Sequence, residues 1–341
     1  MKIAILHPGT LATVQDLGRT NWRAEGIPLC GAADTVGHRI ANFLTGNTAG
    51  AATIELAGGK FSAWIEEGGR MALSGAGGQL RLDGFDIAQG RSVFAPSGTL
   101  LEVLPAPGGS FSYLATTGGW DVPVILDSRS TCLPAGFGGL KGRMLQKGDM
   151  LSAATGSSGN ALTSQATEPS DENESGKWAV DTSSFRPFQT AGSTNTLIRV
   201  LPGPESERFE AAYRQAFFEM PFTVSLQKDR MGVRLRPAGT LLPYANGDML
   251  STAVMPGTIQ VPPDGNPVAL LADAQTTGGY PRIAQVIAVD IPVLAQTPPG
   301  QTILFQTVTF FDAEKLLFEQ EKVLQKIHLA VQFKLRKHAG N

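Results

Sequence analysis

Short apolar runs separated by Gly, Pro and Asp occupy most of the chain and predict a mostly-β fold. Between residues 52 and 116 these runs recur at intervals close to the ~8–12 residues typical of β-sandwiches and barrels. The chain has 40 glycines and 22 prolines, which supply turns without any collagen-like period. Strands and helices do not alternate regularly, which argues against a doubly wound nucleotide-binding fold.

The clearest local pattern lies between residues 256 and 300 and predicts a β-hairpin followed by a polar loop. The apolar runs Thr258–Val261 and Pro267–Ala272 are joined by Pro262–Gly265, in which the Pro and Gly positions fit a type I turn. After the polar loop, a further β-run is predicted over Ile283–Val289. Because buried strands flank the loop, its side chains would lie on a rigid rim, where chemistry is often found. Turn formation and strand capping are the alternative explanation for these polar residues.

Helical spacing appears in only a few places. Asp34 is predicted to cap a short helix that ends at Gly46, and residues 209–220 carry apolar positions at helical spacing. The tail, residues 312–337, carries an apolar stripe and is predicted as an amphipathic helix with Asp312 as its N-cap. An apolar stripe of this kind usually packs against the domain of the same chain. The alternative is that the helix binds a partner protein.

Length and composition indicate two domains joined by a polar segment. A chain of 341 residues fits two ordinary cores better than one. Residues 152–176 contain no aromatic side chain and cannot bury enough apolar surface to offset the entropy of ordering. We therefore predict an N-terminal β-domain over residues 1–151, a linker or exposed loop over 152–195, a C-terminal β-domain over 196–311, and the tail helix.

The net charge and the length of the apolar stretches argue against binding to nucleic acid and against insertion into a membrane. A net charge of −2 with 17% charged residues gives no electrostatic basis for binding nucleic acid or an acidic membrane. No apolar stretch approaches the ~20 residues that a membrane helix needs, and the N-terminal apolar run is too short for a signal peptide. Two cysteines, Cys30 and Cys132, indicate no disulfide framework. We expect a cytoplasmic protein.

Several catalytic and cofactor motifs are missing from the sequence. It contains no P-loop, no glycine-rich dinucleotide motif, no zinc-protease motif and no nucleophile elbow, and it has only four histidines. We therefore expect no metal site. It also lacks the lysine between methionines that a biotin carrier would need.

The polar residues left for chemistry are carboxylates, arginines, amides and a phenol. They are Asp16, Arg19, Asp34, Arg39, Asn42, Asp229, Arg230, Arg234, Gln260, Asp273, Gln275, Tyr280 and Arg282. Arginine beside amides suits a planar carboxylate, an amide or a phosphate, and an aspartate among them suits proton transfer. The alternative is that each Asp–Arg pair is a structural salt bridge.

Motifs spread over nearly the whole chain resemble those of one known family. They are GTLATVQDLGR (Gly9–Arg19), GIPLCGAAD (Gly26–Asp34), HRIAN (His38–Asn42), TTGGWDVPVILDSRST (Thr116–Thr131), RVLPGPE (Arg199–Glu205), DRMGVRL (Asp229–Leu235), GTIQVPPDGNP (Gly257–Pro267) and LLADAQTTGGYPRI (Leu270–Ile283). The sequence resembles the biotin-dependent carboxyltransferase-domain family. That family includes the C subunit of 5-oxoprolinase, Kip-type antagonists of a sporulation kinase inhibitor, the second subunit of allophanate hydrolases, and the carboxyltransferase region of urea carboxylase.

The resemblance implies an architecture and a set of partners. It implies two linked β-barrel-like domains, the second cyclophilin-like, and a heteromeric complex with proteins that resemble the A and B subunits of 5-oxoprolinase. Such a complex opens a small-molecule amide, 5-oxo-L-proline, to L-glutamate with hydrolysis of ATP at the level of the complex.

The resemblance also places the site near Gln260 and the loop that ends at Arg282. We expect Asp273, Tyr280 and Arg282 to be catalytic. The expected substrate-binding residues are Gln260, Gln275, Thr276, Thr277, Arg230 and Arg234.

Two other functions remain open at this point. One is biotin-dependent carboxyl transfer to urea or a related amide, with biotin supplied by neighbouring chains. The other is a non-catalytic role as regulatory partner of a B-type subunit that resembles a kinase inhibitor. The family resemblance is compatible with all three functions.

Overall fold

The predicted mostly-β fold is confirmed by the computed structural model, which describes residues 1–154, 178–181, 195–239 and 249–339. Strands account for most of the regular structure in these ranges, and a few short helices and one long C-terminal helix accompany them. The turn-rich, alternating sequence therefore forms the structure that its pattern predicts.

The chain contacts separate into two units. Unit 1 consists of Met1–Gly18, Asp34–Ser184 and Glu321–Asn341, and unit 2 consists of Arg19–Ala33 and Phe185–Gln320. Most of the predicted linker over residues 152–195 lies outside the described residues, so the domain boundaries stay a prediction. The prediction of one domain boundary at this linker did not include the grouping of Arg19–Ala33 with unit 2.

Unit 1 is built from two antiparallel sheets. Its described strands are β1 (Lys2–Pro8), β2 (Leu11–Gln15), β3 (Thr53–Ala57), β4 (Phe61–Glu67), β5 (Gly69–Gly75), β6 (Gly78–Leu82), β7 (Phe85–Ile87), β8 (Ser92–Ala95), β9 (Leu100–Pro105), β10 (Phe111–Thr116) and β11 (Met150–Ser152). One sheet has the order β11-β1-β4-β9-β6-β7 and the other β2-β3-β10-β5-β8. Buried side chains from both sheets, such as Ile3, Ile65, Ile54 and Leu114, form one apolar core.

A short helix, α1 (Thr35–Leu44), packs against β5 and β10 of unit 1. Asp34 caps it as predicted, because its Oδ1 accepts a hydrogen bond from the backbone N–H of Gly37 at 2.8 Å. The helix buries Val36, Ile40 and the other apolar residues of its predicted face.

Unit 2 contains a closed barrel. Its strands, with those of a small ribbon, are β12 (Thr196–Pro202), β13 (Phe222–Val224), β14 (Gly232–Pro237), β15 (Thr252–Ala253), β16 (Thr258–Gln260), β17 (Val268–Leu270), β18 (Thr277–Gly278), β19 (Arg282–Val286) and β20 (Thr302–Thr307). The barrel order is β12-β19-β16-β17-β14-β13-β20, and β15 pairs with β18 in the ribbon. The pairing of β12 with β20 is parallel, whereas the other barrel pairs are antiparallel.

The predicted hairpin is formed by β16 and β17, with Ile259 opposite Ala269. Its turn is closed by the N–H of Gly265, which donates to the carbonyl of Pro262 at 2.9 Å, as a type I turn requires. The β-run predicted over Ile283–Val289 is wrong beyond Val286, where β19 ends. A 3-10 turn and α3 (Ile291–Gln296) follow, because Pro292 has no N–H for a strand ladder and suits the first turn of a helix.

The remaining helices are α2 (Ala211–Glu219), which packs on β20, and α4 (Phe310–Ala339). The N-cap of α4 is Thr309, so the assignment of Asp312 as N-cap is wrong. Thr309 Oγ1 accepts from the N–H of Asp312 at 3.1 Å, and Asp312 Oδ2 accepts from the N–H of Thr309 at 3.3 Å. This reciprocal capping box satisfies two donors that a cap at Asp312 would leave unpaired.

Candidate functional site

The rim loop, defined as Asp273–Arg282, leads from the end of β17 to the start of β19. Two of its residues form β18, which pairs with β15 through Thr252 and Gly278. The N–H of Val254 donates to the carbonyl of Thr276 at 2.9 Å and extends this ribbon. Because strands precede and follow it, the loop has a defined path within unit 2.

Asp273 and Arg230 form a buried, bidentate ion pair. Arg230 Nε donates to Oδ2 of Asp273 at 2.8 Å, and its Nη2 donates to Oδ1 at 2.7 Å. The side chains are only 4% and 2% exposed. Arg230 Nη2 also donates to the carbonyl of Gly31 at 2.6 Å. The pairing with the guanidinium favours the ionised form of Asp273, and the carboxylate is shielded from solvent.

Arg282 pairs with Glu205 in a second bidentate contact. Its Nε and Nη2 donate to the two carboxylate oxygens at 2.7 and 2.6 Å, and its Nη1 donates to the carbonyl of Ala253 at 2.7 Å. The hydrogen bonds from Arg282 hold the pKa of the Glu205 carboxyl below its usual value, and Glu205 raises the pKa of Arg282. Each side-chain nitrogen of Arg282 therefore has an acceptor within unit 2.

Gln260 places a buried amide next to the rim loop. Its Nε2 donates to the carbonyl of Tyr280 at 3.0 Å, which fixes the orientation of the amide group. The side chain is 2% exposed and lies close to Gly278, where an added Cβ would come within 2.6 Å of Nε2. A side chain at position 278 would therefore require the Gln260 amide to shift. No described residue donates a hydrogen bond to Gln260 Oε1.

The strand register brings some of the predicted site residues together. Gln260 lies opposite both Arg282 and Val268. Asp273 comes five positions after Val268 along the chain, beyond the end of β17. The structure therefore brings Gln260, Arg282 and the Tyr280 carbonyl together.

The other predicted residues are more exposed. The Tyr280 side chain is 47% exposed. Gln275 and Thr277 are exposed, whereas Thr276 is half-buried. Arg234 lies on β14 with its side chain exposed, as the alternation with buried Val233 and Leu235 predicts. These positions fit contacts with a ligand or partner better than a catalytic role in a closed site.

Two contributors to the site were missed from the sequence. The Glu205 carboxylate follows the Pro202-Gly203-Pro204 turn, and a Cβ at Gly203 would lie 2.1 Å from the Arg282 carbonyl. That glycine between two prolines is the local signal for a close approach. The second contributor is the segment Arg19–Ala33, in which the N–H of Cys30 donates to the carbonyl of Ala272 at 2.9 Å.

Lys228 anchors the loop that precedes Arg230. Its Nζ donates to the carbonyl of Thr297 at 2.7 Å and also to that of Ala295, both at the end of α3. Burial lowers the pKa of Lys228 to about 7, whereas the two carbonyl acceptors favour the protonated amine. The geometry indicates a structural tie between this loop and α3.

In the described ranges, no group of three or more His, Cys, Asp or Glu side chains is arranged to hold a metal ion. The α-helices in those ranges are also too short or too polar to cross a bilayer.

Comparisons with known proteins identify the family. The carboxyltransferase domain model, subdomain A and B, matches residues 25–307. The chain is 37% identical over 326 residues to the C subunit of 5-oxoprolinase from Escherichia coli, covering 95% of this chain and 97% of that protein. It is 34% identical to the Haemophilus influenzae protein of the same name, covering 96% and 98%.

A solved structure extends the comparison to a larger enzyme. The Kluyveromyces lactis urea carboxylase superposes with a TM-score of 0.82 at 28% identity, covering 96% of this chain but only 29% of that one. The predicted family is therefore confirmed: the chain belongs to the carboxyltransferase domain family.

Proposed function

We propose that this protein is the C subunit of an ATP-dependent 5-oxoprolinase, which opens 5-oxo-L-proline to L-glutamate. The observation that carries the proposal is the match along almost the full length of two proteins that are named as the C subunit of 5-oxoprolinase. Urea carboxylase, by contrast, is matched over less than a third of its length. The proposal makes the chain one member of a complex with A-type and B-type subunits.

The buried amide of Gln260 supports binding of a lactam at the rim loop. A lactam presents one N–H donor and one carbonyl acceptor on the same edge. Gln260 Oε1 remains an acceptor for a ligand in this proposal, because the amide contacts the Tyr280 carbonyl through Nε2. We propose that Gln260 accepts the lactam N–H, and that Gln275, Thr276, Thr277 and Tyr280 orient the ring.

The two ion pairs support positioning roles. We propose that Glu205 holds Arg282, and with it the start of β19, against the β15 carbonyl of Ala253. The Arg230–Asp273 pair holds the beginning of the rim loop through the Asp273 N–H, which donates to the Arg230 carbonyl at 2.9 Å. The catalytic expectation for Asp273 and Arg282 is replaced by positioning in this proposal.

The residues of unit 2 near the rim loop do not fit a nucleotide triphosphate. Arg230 and Arg282 are each already paired with a carboxylate, so neither guanidinium offers an uncompensated positive charge to phosphate groups. We therefore assign ATP to another subunit of the complex and derive no step through it in this chain.

Reconstitution tests the proposed function. This chain is mixed with its A-type and B-type partner subunits, and release of L-glutamate from 5-oxo-L-proline is measured with and without ATP. We expect release only with ATP and only when this chain is present. Undiminished release from a mixture that omits this chain would contradict the proposal.

The similarity to urea carboxylase favours one alternative, biotin-dependent carboxyl transfer to an amide. Carboxybiotin would supply an activated carboxyl group, and the donor and acceptor of Gln260 suit its ureido ring. A streptavidin blot of partners that co-purify with the chain separates the two: a biotinylated partner supports carboxyl transfer. A regulatory role without chemistry would be contradicted if the reconstituted complex turned over substrate.

A further inference from the structure

Arg23 has no carboxylate partner among the described residues, in contrast to four other arginines of unit 2. In the described part of unit 2, ion pairs join Arg199 to Asp290, Arg214 to Glu207, Arg230 to Asp273, and Arg282 to Glu205. Arg23 contacts no Asp or Glu among the described residues, although its side chain is half-buried. A guanidinium without a carboxylate partner remains able to bind an anionic group.

The position of Arg23 is fixed next to the rim loop. It lies in a 3-10 turn, Thr20–Glu25, and its Nη2 donates to the carbonyl of Val254. The preceding carbonyl, that of Ala253, accepts from Arg282 Nη1 at 2.7 Å. Two guanidinium groups are therefore anchored on carbonyls of consecutive residues, whose Cα atoms lie about 3.8 Å apart. The N–H of Val254 is itself bonded to Thr276 of the rim loop.

The other terminal nitrogen of Arg23 is unsatisfied. Nη1 is shielded from water, and no described residue provides an acceptor for it. Burial lowers the pKa of Arg23 because no opposite charge compensates for lost hydration. Buried donors without an acceptor are rare in folded proteins, and a ligand oxygen is one way to satisfy them.

We propose that Arg23 binds the carboxylate of the small-molecule substrate at the rim loop. A planar guanidinium held at one nitrogen can donate to a carboxylate through the others, with the orientation already set. The inference rests on the proposed function for the site, and it defines the substrate class as an amide or lactam that carries a carboxylate. Neutral amides, such as urea, lack the group that Arg23 binds.

The kinetic test uses the assembled complex. Arg23→Gln removes the charge, Arg23→Lys keeps it without the planar fork, and Arg236→Gln is a matched control on the exposed face of β14. We expect the KM for 5-oxo-L-proline to rise about tenfold or more in Arg23→Gln, less in Arg23→Lys, and to stay unchanged in Arg236→Gln, with kcat little altered. An unchanged KM in Arg23→Gln overturns the inference.

A binding measurement on the same complexes, without ATP, separates this inference from the proposed function. The probes are 5-oxo-L-proline, 2-pyrrolidinone, which is the same ring without the carboxylate, and inorganic phosphate. We expect the unmodified complex and Arg236→Gln to bind 5-oxo-L-proline about tenfold or more tighter than 2-pyrrolidinone, and Arg23→Gln to lose that preference.

Three outcomes have distinct meanings. Absence of the preference in the unmodified complex, or its survival in Arg23→Gln, overturns the inference. Arg23-dependent binding of phosphate but not of 5-oxo-L-proline also overturns the assignment of a carboxylate. If the preference depends on Arg23 while no ATP-dependent glutamate release occurs, the proposed function fails and the carboxylate site stands.

Discussion

The carboxylate of Asp273 accepts hydrogen bonds at both oxygens from the guanidinium of Arg230, 43 residues earlier in the chain. Both side chains are almost fully buried. The pair joins the loop before β14 to the start of the rim loop, and Arg230 extends the connection to Gly31. Removal of one partner would leave a buried, uncompensated charge.

We therefore expect Asp273→Asn to destabilise the protein by about 3–5 kcal/mol, because Arg230 would keep its charge in a buried position. Denaturant unfolding measures the change. The matched control is Asp149→Asn, which breaks the more exposed bidentate pair with Arg143 and should cost less than Asp273→Asn. Equal losses in the two variants would show that Asp273 and Arg230 are not a buried pair.

The Glu205–Arg282 pair predicts a dependence of stability on acid pH. Hydrogen bonds from Arg282 lower the pKa of Glu205 in the folded protein below its ordinary value of 4.5. A depressed carboxyl pKa gives stability that is present above the unfolded pKa and is lost as pH falls through the folded pKa. The free energy of unfolding of the natural protein should therefore exceed that of Glu205→Gln by a constant amount near pH 6. This difference should shrink as pH falls below about 4.5.

Denaturant unfolding from pH 6 to pH 3 measures this difference. Glu207→Gln is the control, since Glu207 is 85% exposed in its contact with Arg214. A gap between the natural protein and Glu205→Gln that does not narrow in acid would contradict the assigned pair.

His38 predicts a second pH effect, in unit 1. The ring is fully buried and contacts Thr53 Oγ1 at 2.9 Å, and burial lowers its pKa from 6.5 to about 4 despite the nearby charge of Asp16. Between pH 6.5 and 4 the unfolded chain binds a proton that the folded protein does not. Stability should fall by up to about 3 kcal/mol over this range, and the fall should be absent in His38→Gln. Unfolding free energies at pH 7 and pH 4.5 test this, and the same slope in both proteins would contradict it.

Local patterns in the sequence were enough to predict the elements that carry the site. The prolines and Gly265 predicted the hairpin turn, and alternation predicted the buried and exposed sides of β14. Asp34 predicted the start of α1 because an N-cap acts within three residues. Each of these features depends on neighbours along the chain.

Pairings between distant residues could not be predicted in the same way. Nothing near Glu205 indicates Arg282, 77 residues later, as its partner. The grouping of Arg19–Ala33 with unit 2 is also a tertiary property. Asp312 was misassigned because Thr309, three residues earlier, competes for the same capping role and has a hydroxyl that reaches the Asp312 N–H. The sequence alone therefore supplied candidate arginines and carboxylates but not which of them neutralise one another.

The most direct test of the account is the activity of Gly278→Ala in the reconstituted complex. The added methyl group would lie 2.6 Å from Gln260 Nε2 and displace the amide that is proposed to bind the lactam, whereas a methyl at the control position, Gly108→Ala, meets nothing closer than 3.7 Å. We predict that kcat/KM for ATP-dependent glutamate release falls about tenfold or more in Gly278→Ala, with little change in unfolding, and is unchanged in Gly108→Ala. Full activity in a folded Gly278→Ala complex would contradict the placement of the substrate at Gln260 and the rim loop.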